Sequence, residues 1–289
     1  MADRPPTGPR LWLAGARPRT LGASVAPVLV GTAVTARQGT VIGWRAGAAL
    51  VVAVALQVGV NYANDYADGV RGVDRERRGP LRLTASGLAP PAAVKRAAAA
   101  SFTVASLAGI ALGVAVDWRL ILVGAACVLA GMFYSAGPRP YASAGLGEVA
   151  VLVFFGFVAT CGSAFVHLGR VPALAVAGAV PVGLGAVAIL LANNLRDVES
   201  DRAAGKRTLA VRVGAPAARR LHAGCVGLAV LVAGLLSPLA LLAAPLAVAP
   251  VRTVLRPQAT PPELVAALVG TARFQLVLAA LLALGLWLW

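Results

Sequence analysis

Nine apolar stretches, each close to the length a helix needs to cross a bilayer, follow one another along the chain: 20–36, 46–63, 94–116, 119–136, 147–168, 172–192, 217–236, 238–254 and 271–289. Roughly 20 mostly apolar residues are needed per crossing, and only Ser237-Pro238 separates the seventh stretch from the eighth. Charged residues make up 13% of the chain against about 25% in soluble domains, and its mean hydropathy is +0.81. Thirty-two glycines suit close helix packing in lipid. The expected fold is all-α: a polytopic transmembrane helical bundle of about nine helices with two Asp-rich cytoplasmic loops. Residues 1–289 are expected to form a single membrane-embedded domain, with 1–15 a polar, Pro-rich tail. No cleavable signal is expected, because the first apolar stretch is one of many alike.

The net charge is +15, but the basic residues lie in short segments between apolar runs, which points to membrane topology and away from nucleic acid. Of the 26 Lys and Arg, all but Arg37, Arg45, Arg119 and Arg170 belong to the N-terminal tail or to the loops 64–93, 137–146, 193–216 and 255–270 and their flanks. The positive-inside rule puts that face in the cytoplasm, with the protein multi-pass in the cell membrane. Cys127, Cys161 and Cys225 sit in apolar runs without paired spacing and read as apolar filler. His167 and His222 read as packed or interfacial, and Trp118, Trp287 and Trp289 as interfacial anchors.

Two long polar loops break the apolar pattern. The first reads NDYADGVRGVDRERRGPLRLTASG (64–87) and the second NNLRDVESDRAAGKRTLAVRVG (193–214). Each opens on Asn-x-x-x-Asp, as Asn64/Asp68 and Asn193/Asp197, and continues with another Asp, a basic cluster and a Thr-containing segment ending in Gly. They form a weak internal repeat about 129 residues apart, on one side of the membrane. A spacing of four stacks Asn64 on Asp68, and Asn193 on Asp197 and Asp201, along helix faces. Acids at a helix mouth have two readings, solvated caps with arginine counter-ions or a cation site. Two matched loops favour the second, since ionisable groups at membrane depth are usually functional. Hard oxygen ligands select Mg²⁺, which takes one or two carboxylates plus phosphate oxygens. Arg71, Arg77, Arg78 and Arg82 in the first loop, with Lys206 and Arg207 in the second, supply grips for a diphosphate. Most of the Arg75–Arg78 run reads better as orientation and anionic-lipid contact. Glu148 reads as an acid at a helix start, and Glu199 falls on a different face from Asp197 and Asp201. The rest of such a substrate must suit a membrane cavity, and a long prenyl chain does.

Together the two loops resemble the Asp-rich motifs of the UbiA superfamily of intramembrane aromatic prenyltransferases. The usual first motif is N-D-x-x-D-x-x-x-D. Here Gly72 takes the last place and Asp74 follows two residues later, a form similar to the MenA branch, which uses 1,4-dihydroxy-2-naphthoate. The segments ARPRTLGASVAPVLVGTA (16–33), GPLRLTASGL (79–88), YSAGPRPYASAGLGEVAVLVFFG (134–156) and GKRTLAVRVG (205–214) agree with that branch.

The resemblance implies transfer of a polyprenyl group from polyprenyl diphosphate to the naphthoate ring, with loss of CO₂ and pyrophosphate and formation of demethylmenaquinol. It implies that Asn64, Asp68, Asp197 and Asp201 hold Mg²⁺, with Asp65, Asp74 and Asn193 as ligands or their close partners. It places Arg17, Arg82, Lys206 and Arg207 on the diphosphate, and Tyr134 and Arg139 near the acceptor. Other acceptors (hydroxybenzoate, homogentisate, a chlorin or haem) are the alternative within the family. A cation-coupled transporter is the alternative outside it, although acids gathered at one membrane face argue against a through-path.

Overall fold

The computed structural model describes residues 6–39, 41–72, 81–135, 137 and 140–288. A short α1 (Pro9–Ala16) leads into α2 (Pro18–Ala36), α3 (Gly43–Val70), α4 (Pro91–Ala115) and α5 (Arg119–Phe133). Next, α6 (Gly147–Val151) passes through a π-helical stretch, Leu152–Val158, into α7 (Ala159–Leu168), the three making one rod. The long α8 (Ala173–Arg196) is followed by the short α9 (Val198–Ala203) and α10 (Leu209–Val213), then by α11 (Ala215–Leu236). A 3-10 segment, Pro238–Ala243, enters α12 (Ala244–Leu255), and α13 (Pro261–Leu288) is the last helix. Among the described residues eight rods are long and apolar enough to cross a membrane, and α5 is a shorter apolar helix of 15 residues. The all-helical bundle is therefore as expected.

Several boundaries differ, for physical reasons. The first Asp-rich stretch was expected as a loop from 64 onward, yet α3 continues to Val70. Counting apolar residues ends a span where polarity begins, but nothing in Asn-Asp-Tyr-Ala-Asp breaks a helix. The backbone turns only at Gly72, where φ is 72°. The helix of the expected span 271–289 starts at Pro261 instead. Prolines at its first positions cost no hydrogen bond, and Glu263 accepts from the Thr260 N–H at 2.8 Å, half of a capping box.

The bundle packs around α8, with two-thirds of its spanning window buried (67%). Its Gly183 faces Gly156 of the π-helical stretch so closely that a Cβ on Gly156 would lie 2.9 Å from the Gly183 Cα. Phe274, Leu278 and Leu282 of α13 share a buried cluster with Val30 and Val34 of α2 and Ala229 and Ala233 of α11. By contrast, α5 buries no residue. Large apolar side chains such as Val114, Leu122 and Leu235 point outward, as a lipid-facing surface requires.

On α2, Gly31 lies against the backbone of Thr160 and Ala164, where an added Cβ would meet the Thr160 carbonyl. Gly31→Val is expected to cost about 1–3 kcal/mol through overpacking, seen as a lower unfolding temperature in detergent. Gly47→Ala, at a position facing open space, should leave that temperature unchanged or slightly raised.

Candidate active site at the mouth of the bundle

One face of α3 forms a continuous stripe down an internal cavity of about 370 Å³, from Asp68 through Asn64, Asn61, Gln57 and Ala53 to Ala49. Nineteen helical positions separate Asp68 from Ala49, or about 28 Å at 1.5 Å per residue. That nearly matches the roughly 30 Å of bilayer hydrocarbon. The deep end is apolar, lined by Val28, Leu112, Leu120 and Val166. Phe154 and Phe155, neighbours in sequence, both reach the cavity from the π-helical stretch, a device that recurs at functional sites. The mouth is polar, and most sequence-expected residues gather there.

Asn64 and Asp68 reach the mouth from the last turns of α3, Asn193 from the end of α8, Asp197 from the α8–α9 junction and Asp201 from α9. Asp68 is 5% exposed, a burial an ionised carboxylate tolerates only with partners. Among the described residues it has two: Lys206 Nζ at 2.9 Å and Arg82 Nη2 at 3.6 Å. Lys206 Nζ is also 4.0 Å from Asp201 Oδ1, so one ammonium ties the first Asp-rich stretch to the second. Asp197 receives both arms of Arg196, Nε at 2.8 Å and Nη2 at 2.5 Å, and Arg196 Nη2 also donates to Asn193 Oδ1 at 3.0 Å. Asn64 Oδ1 accepts from the Ser135 hydroxyl.

The mouth is shaped by polar groups bound to backbone. Asn61 Nδ2 donates to the Ala16 carbonyl at 2.9 Å and the Tyr62 hydroxyl to the Trp12 carbonyl at 2.7 Å, fixing α1 on α3. Arg17 then turns between α1 and α2 at φ 58°, the one non-glycine residue with positive φ among those described, and lines the cavity. Tyr134 lines it too, edge-on to Tyr141 with ring centroids 5.5 Å apart. Burial pushes the Tyr141 hydroxyl up to about 12, and it donates to the Ala130 carbonyl at 2.8 Å, so it stays neutral.

Three expected site residues are placed differently. Asp65 does not line the cavity: its Oδ2 accepts from Leu83 N–H at 2.7 Å and its Oδ1 from Thr84 N–H at 2.9 Å. It lies about 100° round the helix from Asn64 and anchors the chain beside Arg82 rather than facing a metal. Arg207 is exposed and outside the cavity, its N–H donating to the Ser143 carbonyl at 2.8 Å. Arg71 donates to the carbonyls of Ser135 at 3.1 Å and Gly137 at 2.5 Å, clamping the α3 end to the chain after α5. Asp74, Arg77, Arg78 and Arg139 lie outside the described residues. Sequence reasoning missed Arg196, Asn194 and Glu148. Arg196 sits inside the second motif and was hidden by its adjacency to Asp197, since neighbours on a helix do not meet. The helix breaks at Asp197, φ −98° and ψ 4°, and that break brings the two together. Glu148 does open a helix as expected, but it is buried and bonded to Asn194.

The donor set is all hard oxygen. Among the described residues no three acidic, His or Cys side chains gather closely enough to hold an ion unaided. Two carboxylate-amide faces separated by Lys206 instead fit Mg²⁺ bound jointly with phosphate oxygens.

A profile of the UbiA prenyltransferase family matches residues 24–263. A Mycobacterium tuberculosis 1,4-dihydroxy-2-naphthoate octaprenyltransferase is 46% identical over 81% of this chain and 79% of its own. The protein of that name from Escherichia coli is 40% identical over 73% and 71%. In fold, the chain is similar to a UbiA homolog from Archaeoglobus fulgidus solved with GPP and Mg²⁺, with TM-score 0.62, 16% identity and coverage of 94% and 99%. Family profile, sequence relatives and fold agree, and the chain belongs to the UbiA prenyltransferase family.

Proposed function

We propose that the protein is a Mg²⁺-dependent prenyltransferase that moves a polyprenyl group from polyprenyl diphosphate to 1,4-dihydroxy-2-naphthoate, a step of menaquinone biosynthesis. One observation carries this reading: Asn/Asp faces from α3 and from α8–α9 meet at the polar mouth of an apolar cavity nearly as deep as the bilayer. The naphthoate-specific names of relatives at 40–46% identity favour that acceptor over the others. A deep end lined by apolar residues, with the acids gathered at the other end, argues against a transport path.

Asn64 and Asp68 on one side, and Asn193, Asp197 and Asp201 on the other, are the proposed Mg²⁺ ligands, with Asp74 assigned on its motif alone. When bound there, Mg²⁺ supplies positive charge against the pyrophosphate as it departs. Arg82 and Lys206, now on Asp68, stand within the same mouth to grip diphosphate oxygens, with Arg17 across the cavity. Arg196 pairs with Asp197 through both arms and holds it aimed at the mouth. The allylic C–O bond breaks with its electron pair leaving on the diphosphate, and a ring carbon supplies the pair for the new C–C bond, then releases its own proton to a pyrophosphate oxygen as the ring regains aromaticity. Loss of the carboxyl as CO₂ leaves its bonding pair on the ring, where a proton takes its place, giving demethylmenaquinol. The apolar cavity holds the prenyl chain and keeps water from the allylic cation. By the positive-inside rule the mouth faces the cytoplasm and the bundle lies in the cell membrane.

In a purified, detergent-solubilised assay with Mg²⁺, a polyprenyl diphosphate and the naphthoate, Asp68→Asn and Asp197→Asn should each lower turnover by about 10²-fold or more, the scale of losing a transition-state charge contact. Near-normal turnover in either variant would contradict the assignment. Asp65→Ala should behave differently, because it strands two backbone N–H groups at a cost of about 1–3 kcal/mol each. Its unfolding temperature should fall while the Mg²⁺ concentration for half-maximal rate in the surviving enzyme stays at the wild-type value. A raised Mg²⁺ requirement in Asp65→Ala would return Asp65 to the metal.

A further inference from the structure

Beyond the diphosphate end of the mouth lies a buried carboxylate for which the reaction outlined above has no use. Glu148, 5% exposed, opens α6 beside the cavity. Its Oε1 accepts from Asn194 Nδ2 at 2.9 Å, while its Oε2 is buried without a hydrogen-bond partner among the described residues. A desolvated carboxylate with one empty side is costly, and such groups in native structures call for an explanation. The explanation lies in what the bond does to Asn194. Glu148 Oε1 is an acceptor for the amide N–H, so the bond sets which end of the amide faces Glu148. Nδ2 is taken by Glu148, and Asn194, which lines the cavity, is left with Oδ1 unbonded among the described residues. Asn193, next in sequence, belongs to the diphosphate face through Arg196. Asn194 therefore looks onto the neighbouring part of the mouth. Tyr134 is there as well: a Cβ on Gly147, the residue before Glu148, would lie 3.3 Å from its hydroxyl.

We infer that Asn194 is an acceptor-binding residue: its Oδ1, oriented by Glu148, accepts a hydrogen bond from a ring hydroxyl of the phenolic acceptor. Glu148 is a positioning residue that acts through the amide. The bond selects a hydroxylated ring over an etherified one and raises electron density on the ring that attacks. The assignment rests on the prenyltransferase reading and deepens it at one corner of the site.

Steady-state kinetics in nanodiscs test it, with the acceptor and the prenyl diphosphate varied separately. Asn194→Ala and Asn194→Ser should raise the KM for the acceptor about tenfold, the size of one lost hydrogen bond. The KM for prenyl diphosphate and the Mg²⁺ concentration for half-maximal rate should stay within about twofold on the same scale. Glu148→Gln, which no longer dictates the amide's orientation, should also raise the acceptor KM, and Glu148→Asp should recover part of the loss. One of the two monomethyl ethers of the acceptor should bind wild type as weakly as the parent compound binds Asn194→Ala, with no further loss in that variant. An unchanged acceptor KM in both folded Asn194 variants, or an equal rise in both substrates' KM values, overturns the proposal. If wild type turns over a different phenolic acid instead of the naphthoate, the acceptor identity fails and the same comparison runs on that acid. If it turns over none, the prenyltransferase reading fails and this assignment with it.

Discussion

The ion pair between Asp68 and Lys206 is the contact on which the mouth of this bundle depends. A carboxylate at the end of a membrane helix, almost wholly removed from solvent, is tolerable only if a cation meets it, since an unpaired buried charge costs several kcal/mol. The lysine that meets it comes from the far side of the sequence, 138 residues on, and also faces Asp201. That pairing requires the segment after α9 to lie against the end of α3, at the mouth of the cavity. A lysine between two carboxylates is also what an arriving Mg²⁺–diphosphate would exploit, because it brings cation and anion together where both counter-charges already stand.

Around that pair the polar residues divide into two groups. Asn64, Asp68, Asn193, Asp197 and Asp201 face the cavity, while Tyr62, Asp65 and Arg71 bind backbone carbonyls and N–H groups, as does Asn61, which also lines the cavity. The second group positions the chain that carries the basic residues of the mouth. Asp65 holds the chain on which Arg82 is carried, and Asn61 fixes the end of α1 from which Arg17 turns. Along α3 the two groups interleave, so a motif written as a string of letters mixes residues that face the cavity with residues that hold the protein together.

That mixture explains what the sequence disclosed and what it hid. The membrane bundle was legible because nine apolar stretches leave little else to build, and most of the mouth because two Asn-x-x-x-Asp stretches repeat on one side. Asp65 stayed open between a ligand and a partner of the ligands, because spacing shows which residues stack, not which neighbouring chain approaches them. Arg207 was misplaced because a Lys-Arg pair shows no preference for either residue, and the backbone bond to Ser143 decides which one turns outward. Arg196 depended on a helix break at Asp197 that no local signal announces. Glu148 carried a complete local explanation as a helix-start acid, so nothing prompted a search for its partner on α8.

The central claim is that the two Asn/Asp faces jointly hold metal and diphosphate above a prenyl-sized cavity. An experimental structure with Mn²⁺ in place of Mg²⁺ and an unreactive prenyl thiodiphosphate tests it most directly, since Mn²⁺ can be located by its anomalous scattering. The account predicts metal density between Asn64/Asp68 and Asn193/Asp197/Asp201, Lys206 moved from Asp68 to a phosphate oxygen, and the prenyl chain along the α3 stripe toward Ala49. Metal found away from these side chains, or a prenyl chain lying outside the cavity, would contradict it.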